Sequence, residues 1–149
     1  FQRAVDVARS DGRLVVGGGY DLSVGNFAEL TIVDSLPRRH VINREEIFGP
    51  VLSVIRVSDI DDALLEANAV DFGLSAGIFT SSESERERFL AEVEAGIVFV
   101  NHAGGATTGV WPGNQTMSGW KASGTTGKGG FGPHYLQQFM REQSRTVYD

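Results

Sequence analysis

The sequence predicts an α/β fold, and three features of it do so. Short runs rich in β-branched or apolar residues (Val51 to Val57, Leu74 to Phe79, Ile97 to Val100) alternate with segments whose apolar residues recur at helical spacing. The links between them are only a few residues long. Strands joined through helices by such links pair in parallel with right-handed crossovers, which predicts a β-α-β-α-β core.

Each element has a local reason. Phe1, Ala4, Val5 and Ala8 fall at i, i+3, i+4 and i+7, one face of a helix that Gly12 can close. Arg13 to Val16 reads as a strand stopped by Gly17, Gly18 and Gly19, and Phe27 to Val33 as a second strand. Val51 to Val57 reads as a buried strand. Ser58 or Asp59 can cap a helix whose inward face is Ile60, Ala63, Leu64 and Ala67. Ser81 and Ser82 offer the next N-cap, for a helix with Phe89, Leu90 and Val93 turned inward and Glu83–Arg86 and Glu85–Arg88 pairs on its wet side. Gly96 stands where a left-handed C-cap would end it. Pro133 suits the first turn of a last helix with Leu136, Phe139 and Met140 as its apolar side, and Arg141 to Tyr148 then runs extended.

Composition narrows the function classes. Thirteen Lys+Arg against nineteen Asp+Glu in 149 residues leave a net charge of −6, which argues against a nucleic-acid partner. The chain has no cysteine, so it carries no disulfide framework, no cysteine-held metal and no thiol nucleophile. His40, His102 and His134 lack metal-ligand spacing, and no metal site is expected. No apolar run approaches the roughly 20 residues of a bilayer span, so the chain reads as cytoplasmic, without a membrane partner. A start at Phe1, already inside a helical pattern, reads as the interior of a longer polypeptide.

Glycine is concentrated. Ten of the 19 glycines lie between Gly104 and Gly132, without a fixed period, which reads as a long functional loop. Within it, Gly127 to Gly132 matches G-x-G-x-x-G literally. It follows loop residues rather than a strand, so it is not read as a dinucleotide-binding turn. The segment Glu45-Glu46-Ile47-Phe48-Gly49-Pro50 is more informative. A carboxylate can hold two vicinal ribose hydroxyls, and an adjacent aromatic can pack on a flat ring. From spacing alone, a solvated acidic pair and a core Phe before a turn is the favoured reading of the segment.

Four motifs in order decide between these. EEIFGP at Glu45 to Pro50 resembles the hallmark segment of the aldehyde dehydrogenase superfamily. Ala67-Asn68 with Phe72-Gly73-Leu74-Ser75-Ala76-Gly77-Ile78-Phe79 is similar to its A-N…Y-G-L-[TS]-A-x-[VI]-F. Ala95-Gly96-Ile97-Val98-Phe99-Val100-Asn101 resembles its A-G-x-V-x-V-N, and Trp120-Lys121-Ala122-Ser123-Gly124 its x-K-x-S-G.

The resemblance implies that residues 1–140 are the C-terminal portion of the catalytic domain and residues 141–149 an oligomerisation tail. Residues 142–148 would pair with a neighbouring subunit of a homo-oligomer. It implies an NAD(P)-dependent oxidation of an aldehyde to a carboxylic acid, with no catalytic residue in this chain. The nucleophilic cysteine, the general-base glutamate and the Rossmann-type domain would precede Phe1, leaving the isolated chain inactive. Glu46 matches the carboxylate that binds the nicotinamide ribose, and Phe48 the aromatic beside the nicotinamide. The implied cofactor is NAD, or NADP, since the adenosine ribose is read in the other domain.

Thr107 to Gln115 resembles the loop by which the glutamate-semialdehyde (1-pyrroline-5-carboxylate) branch anchors its substrate's carboxylate. Gly109 and Val110 would form that anchor, and the substrate would be glutamate γ-semialdehyde, oxidised to glutamate in proline degradation. Thr116-Met117-Ser118-Gly119 departs from the family's P-F-G-G, so Met117 would replace the aromatic lining the aldehyde pocket. Val110 replaces a usual Ala or Ser, and Ala28-Glu29-Leu30-Thr31 lacks the usual Pro. A dehydrogenase for another aldehyde on the same scaffold, or a non-catalytic binding or assembly module, remain the alternatives.

Overall fold

A computed structural model describes residues 1–102, 115–124 and 128–149. The chain forms two compact units, Phe1–Val70 and Asp71–Asp149.

In the first unit, helix α1 (Gln2–Asp11) buries Val5 and Ala8 against the sheet, as its spacing predicts. Strands β1 (Arg13–Val16), β4 (Thr31–Asp34) and β5 (Val51–Val54) form that sheet in the order β1-β4-β5. β1 runs antiparallel to β4, with a register shift between Leu14 and Val16, and β4 runs parallel to β5. Arg13 stands opposite Asp34, and the pair makes a two-point bridge, at 2.8 Å from Nε and 2.5 Å from Nη2. That guanidinium holds the Asp34 carboxyl below the usual aspartate range. Gly17 leaves β1 at φ +78°, where a Cβ would stand 2.1 Å from the Leu30 carbonyl oxygen, so glycine is required there.

The expected strand from Phe27 to Val33 is two. β3 (Phe27–Ala28) pairs with β2 (Tyr20–Asp21), whereas β4 pairs with β1 and β5. The chain changes partner at Glu29, whose carboxylate and N–H both bond Gly19, at 2.8 and 3.0 Å. β5 is also not the buried strand expected. It closes one side of its sheet, and its Leu52 and Val54 are exposed. It joins the first sheet, parallel to β4. Helix α2 (Val41–Arg44) precedes β5, and α3 (Ile60–Asn68) follows it. Asp59 caps α3 by accepting the Asp62 N–H at 2.9 Å, and Leu64 is its buried residue. Ala67, expected inward, is exposed because the packed face is narrower than the apolar pattern.

In the second unit, β7 (Ser75–Ile78), α4 (Glu83–Glu92) and β8 (Ile97–Val100) form the expected parallel crossover. Ser82 caps α4 through the Glu85 N–H, Glu83 bridges Arg86, and Arg88 bonds Glu92. Phe89 and Val93 are buried, but Leu90 is half exposed. β6 (Phe72–Gly73) pairs antiparallel with β9 (Trp120–Lys121). Gly96 is not a left-handed cap, since α4 ends at Glu92 and the positive-φ glycines described are Gly17 and Gly18. Its reason is contact: a Cβ there would stand 1.5 Å from the Ser118 carbonyl oxygen. The last expected helix is one 3₁₀ turn (Leu136–Phe139) with Leu136, Phe139 and Met140 exposed. Tyr135 and Phe139 pack edge to face on each other, 5.3 Å apart, rather than on a core. Residues 141–149 are exposed and carry no helix or strand. Among the described residues, no helix is long and apolar enough to cross a membrane.

Candidate active-site segment

The Glu45–Pro50 segment leaves α2 and enters β5, and both ends are fixed. His40 caps α2: its Nδ1 accepts the Ile42 N–H at 3.2 Å. That bond puts the ring proton on Nε2, which lies 3.1 Å from Asp11 Oδ2 on α1. The Glu45 N–H closes the turn on the Val41 carbonyl at 2.8 Å, after which Glu45 turns extended. Downstream, the Thr31 N–H donates to the Pro50 carbonyl at 2.8 Å, which seats the start of β5 beside β4.

Between these anchors Glu46 and Phe48 face solvent. Phe48 is 91% exposed and has a left-handed backbone, φ +54°. For an aromatic residue that conformation costs on the order of 1–3 kcal/mol, and here no burial of the ring offsets it. A core Phe before a turn, the bland alternative, therefore does not describe this residue. Glu46 lines two clefts, one of about 260 Å³ shared with Phe1, Arg3 and Glu45 and one of about 270 Å³ shared with Phe48 and Ser53. Each is smaller than the roughly 300–1,000 Å³ of a complete ligand pocket, so each suits one end of an extended ligand.

Two residue sets here were not foreseen. Arg3 brings a cation into the same cleft as Glu45 and Glu46. Behind α2, Arg44 and Arg38 meet Asp62 and Glu66 of α3. The Arg38 guanidinium, helped by the Ser58 N–H, drives the Asp62 carboxyl far below the usual range. Residues 22 to 28 apart in sequence give no local signal for such a network.

In the second unit, Met117 bridges Gly130, its N–H donating to the Gly130 carbonyl at 2.9 Å. A Cβ on Gly129 would stand 2.2 Å from the Met117 carbonyl oxygen, so this bridge also needs a missing side chain. Gly109 and Val110 lie outside the described residues. Strand β8 ends at Val100 and is followed by Asn101, at φ +53°, whose side-chain amide grips Thr80 by both N–H and C=O at 2.9 Å. Lys128, in the glycine-rich match, donates to Gln137 at 3.1 Å, and the next described helical element is the 3₁₀ turn. Among the described residues that follow Lys128, no α-helix opens. Among the described residues, no group of three or more His, Asp and Glu could hold a metal ion.

The aldehyde dehydrogenase family model matches residues 1–145. The chain belongs to the aldehyde dehydrogenase family. It is 35% identical over 139 residues to the 1-pyrroline-5-carboxylate dehydrogenase of Staphylococcus aureus, covering 93% of this chain and 26% of that protein. Among solved structures, the 1-pyrroline-5-carboxylate dehydrogenase from Thermus with bound NAD superposes with a TM-score of 0.84 at 35% identity, over 93% of this chain and 26% of that one. A lactaldehyde dehydrogenase superposes at 0.83 with 25% identity, over 95% of this chain and 28% of that one. The Pseudomonas syringae indole-3-acetaldehyde dehydrogenase in complex with NAD+ superposes at 0.79 with 30% identity, over 93% and 27%. This aldehyde dehydrogenase chain thus spans about a quarter of the length of the relatives it matches.

Proposed function

We propose that this chain supplies the cofactor-facing and substrate-facing groups of an NAD(P)-dependent aldehyde dehydrogenase whose substrate is glutamate γ-semialdehyde. The observation that carries the reading is Phe48, an aromatic ring held out to solvent on a left-handed backbone beside the cleft carboxylate Glu46. The relatives named for 1-pyrroline-5-carboxylate support the substrate class, and the NAD-bound Thermus structure supports the cofactor.

The residues present fit one end of the cofactor. Glu46, as a carboxylate, accepts hydrogen bonds from both hydroxyls of a ribose and so fixes the sugar's rotation. Phe48 offers an apolar face to the attached ring and excludes water from it. When bound, the cofactor supplies the hydride acceptor. On the substrate side, the sequence resemblance assigns Gly109 and Val110 to the substrate's carboxylate and Met117 to the apolar passage. With no cysteine in the sequence, a thiolate step falls to residues outside this chain. Residues 142–148 are read as the segment that pairs with a second copy.

The test uses the full-length enzyme, wild type and Glu46→Gln, with glutamate semialdehyde and with hexanal. Misplacing the hydride acceptor should cost the variant on the order of 10²-fold in kcat/KM for NAD. The wild type should favour the carboxylate-bearing aldehyde by at least about tenfold. A variant with wild-type kinetics defeats the Glu46 role; a substrate ratio at or below one defeats the substrate.

A further inference from the structure

Helix α2 is a single turn of four residues, Val41–Arg44, too short to hold its own geometry. It nevertheless delivers the Glu45-Glu46 pair, and its two ends are tied to two different helices. The N-terminal tie is His40 to Asp11 of α1. The C-terminal tie is closer to the chemistry: Arg44 Nη2 lies 2.5 Å from Glu66 Oε1 on α3.

Glu66 is itself held. Its second oxygen lies 3.7 Å from Arg38 Nη1, and Arg38 also bonds both oxygens of Asp62 one turn earlier on α3. The Glu66 side chain is 11% exposed and that of Arg44 22%, so water screens the pair weakly and its geometry is enforced. Arg44 Nη1 is buried without a hydrogen-bond partner among the described residues, which leaves Glu66 to fix the guanidinium. Arg44 is the last residue of α2, and Glu46 follows two residues on. A turn of Arg44 about the helix axis therefore swings the Glu46 carboxylate within its cleft.

We propose that Glu66, acting through Arg44, is a positioning residue for Glu46, setting the direction from which that carboxylate meets the cofactor ribose. The inference rests on the reading of Glu46 given above. It makes α3, which carries none of the proposed binding groups, part of the machinery that aligns hydride transfer.

The experiment compares Glu66→Gln, Arg44→Met and Arg44→Lys in the full-length enzyme, alone and combined with Glu46→Gln. The readouts are KM for NAD, the isotope effect with aldehyde deuterated at the reacting carbon, and the melting temperature. Glu66→Gln and Arg44→Met should raise KM for NAD and slow hydride transfer by about tenfold, with a larger isotope effect, and Arg44→Lys should recover part of the loss. In the Glu46→Gln background the same changes should add almost nothing, because the group they position is already disabled.

Lower melting temperatures with wild-type KM and isotope effect would overturn the proposal and leave the network a structural tie. So would full additivity with Glu46→Gln. If Glu46→Gln is itself silent, the reading of Glu46 falls and takes the proposal with it. An impaired Glu46→Gln beside a silent Glu66→Gln defeats the proposal alone. Should Glu66→Gln fail to fold, Arg44→Lys, which keeps the charge, carries the same comparison.

Discussion

Phe48 and Asn101 leave their elements with almost the same left-handed backbone, φ +54° and +53°, yet they are held there by opposite means. Asn101 supports its own conformation: its amide bonds both the N–H and the C=O of Thr80, and Asn is among the residues that tolerate this region. Phe48 has no polar atom to offer and no buried contact for its ring. Its conformation is imposed from outside, by α2 at one end and the β4–β5 ladder at the other. Strain that a residue relieves itself is structural. Strain imposed on an exposed aromatic beside a cleft is the kind that accompanies function.

Substitutions sharpen that distinction. Asn101→Ala removes both Thr80 bonds and leaves a Cβ residue in the left-handed region, and it should cost about 2–3 kcal/mol by denaturant unfolding. Asn101→Gly should cost less, because the strain term disappears with the side chain. Phe48→Gly should act in the reverse sense, raising stability by up to about 1 kcal/mol while hydride transfer slows. Equal destabilisation at both sites would break the comparison.

The smallest expected effect concerns acid. Asp62 has its carboxyl depressed in the folded state by Arg38, so it stabilises fully above the ordinary aspartate value of 3.8 and loses that contribution as pH falls below it. The melting-temperature gap between wild type and Arg38→Met should therefore be widest near neutrality and narrow towards pH 3. The amide clamp at Asn101 does not titrate and should show no such narrowing with Asn101→Ala.

Much of this was legible in the sequence for reasons that are local. The α1, α3 and α4 helices announce themselves by spacing and caps, and the β7–α4–β8 crossover by short links. The Glu45–Pro50 segment is contiguous, so it could be found as a motif. What escaped is non-local. The switch of strand partner at Glu29 depends on Gly19, ten residues earlier. Arg44 and Glu66 lie 22 residues apart in sequence, and only the fold brings their long side chains within reach of each other. The left-handed turn at Phe48 is invisible because Phe does not favour it, and the apolar residues of β5 exceed what its sheet position covers.

Gly96 and Gly129 have a consequence for how the 116–118 stretch can change. Each lets main chain rest on main chain, Gly96 against Ser118 and Gly129 against Met117. The course of the 116–118 stretch is thus recorded in two hydrogen atoms on residues that lie outside it. The nearest atoms in both contacts belong to the main chain, the carbonyl groups of Ser118 and Met117. The scaffold separates the memory of the loop's shape from the identity of the residues it displays. On the proposed reading of Met117 as part of the aldehyde passage, a new aldehyde would be accommodated by exchanging one displayed side chain, with no rebuilding of the backbone beneath it.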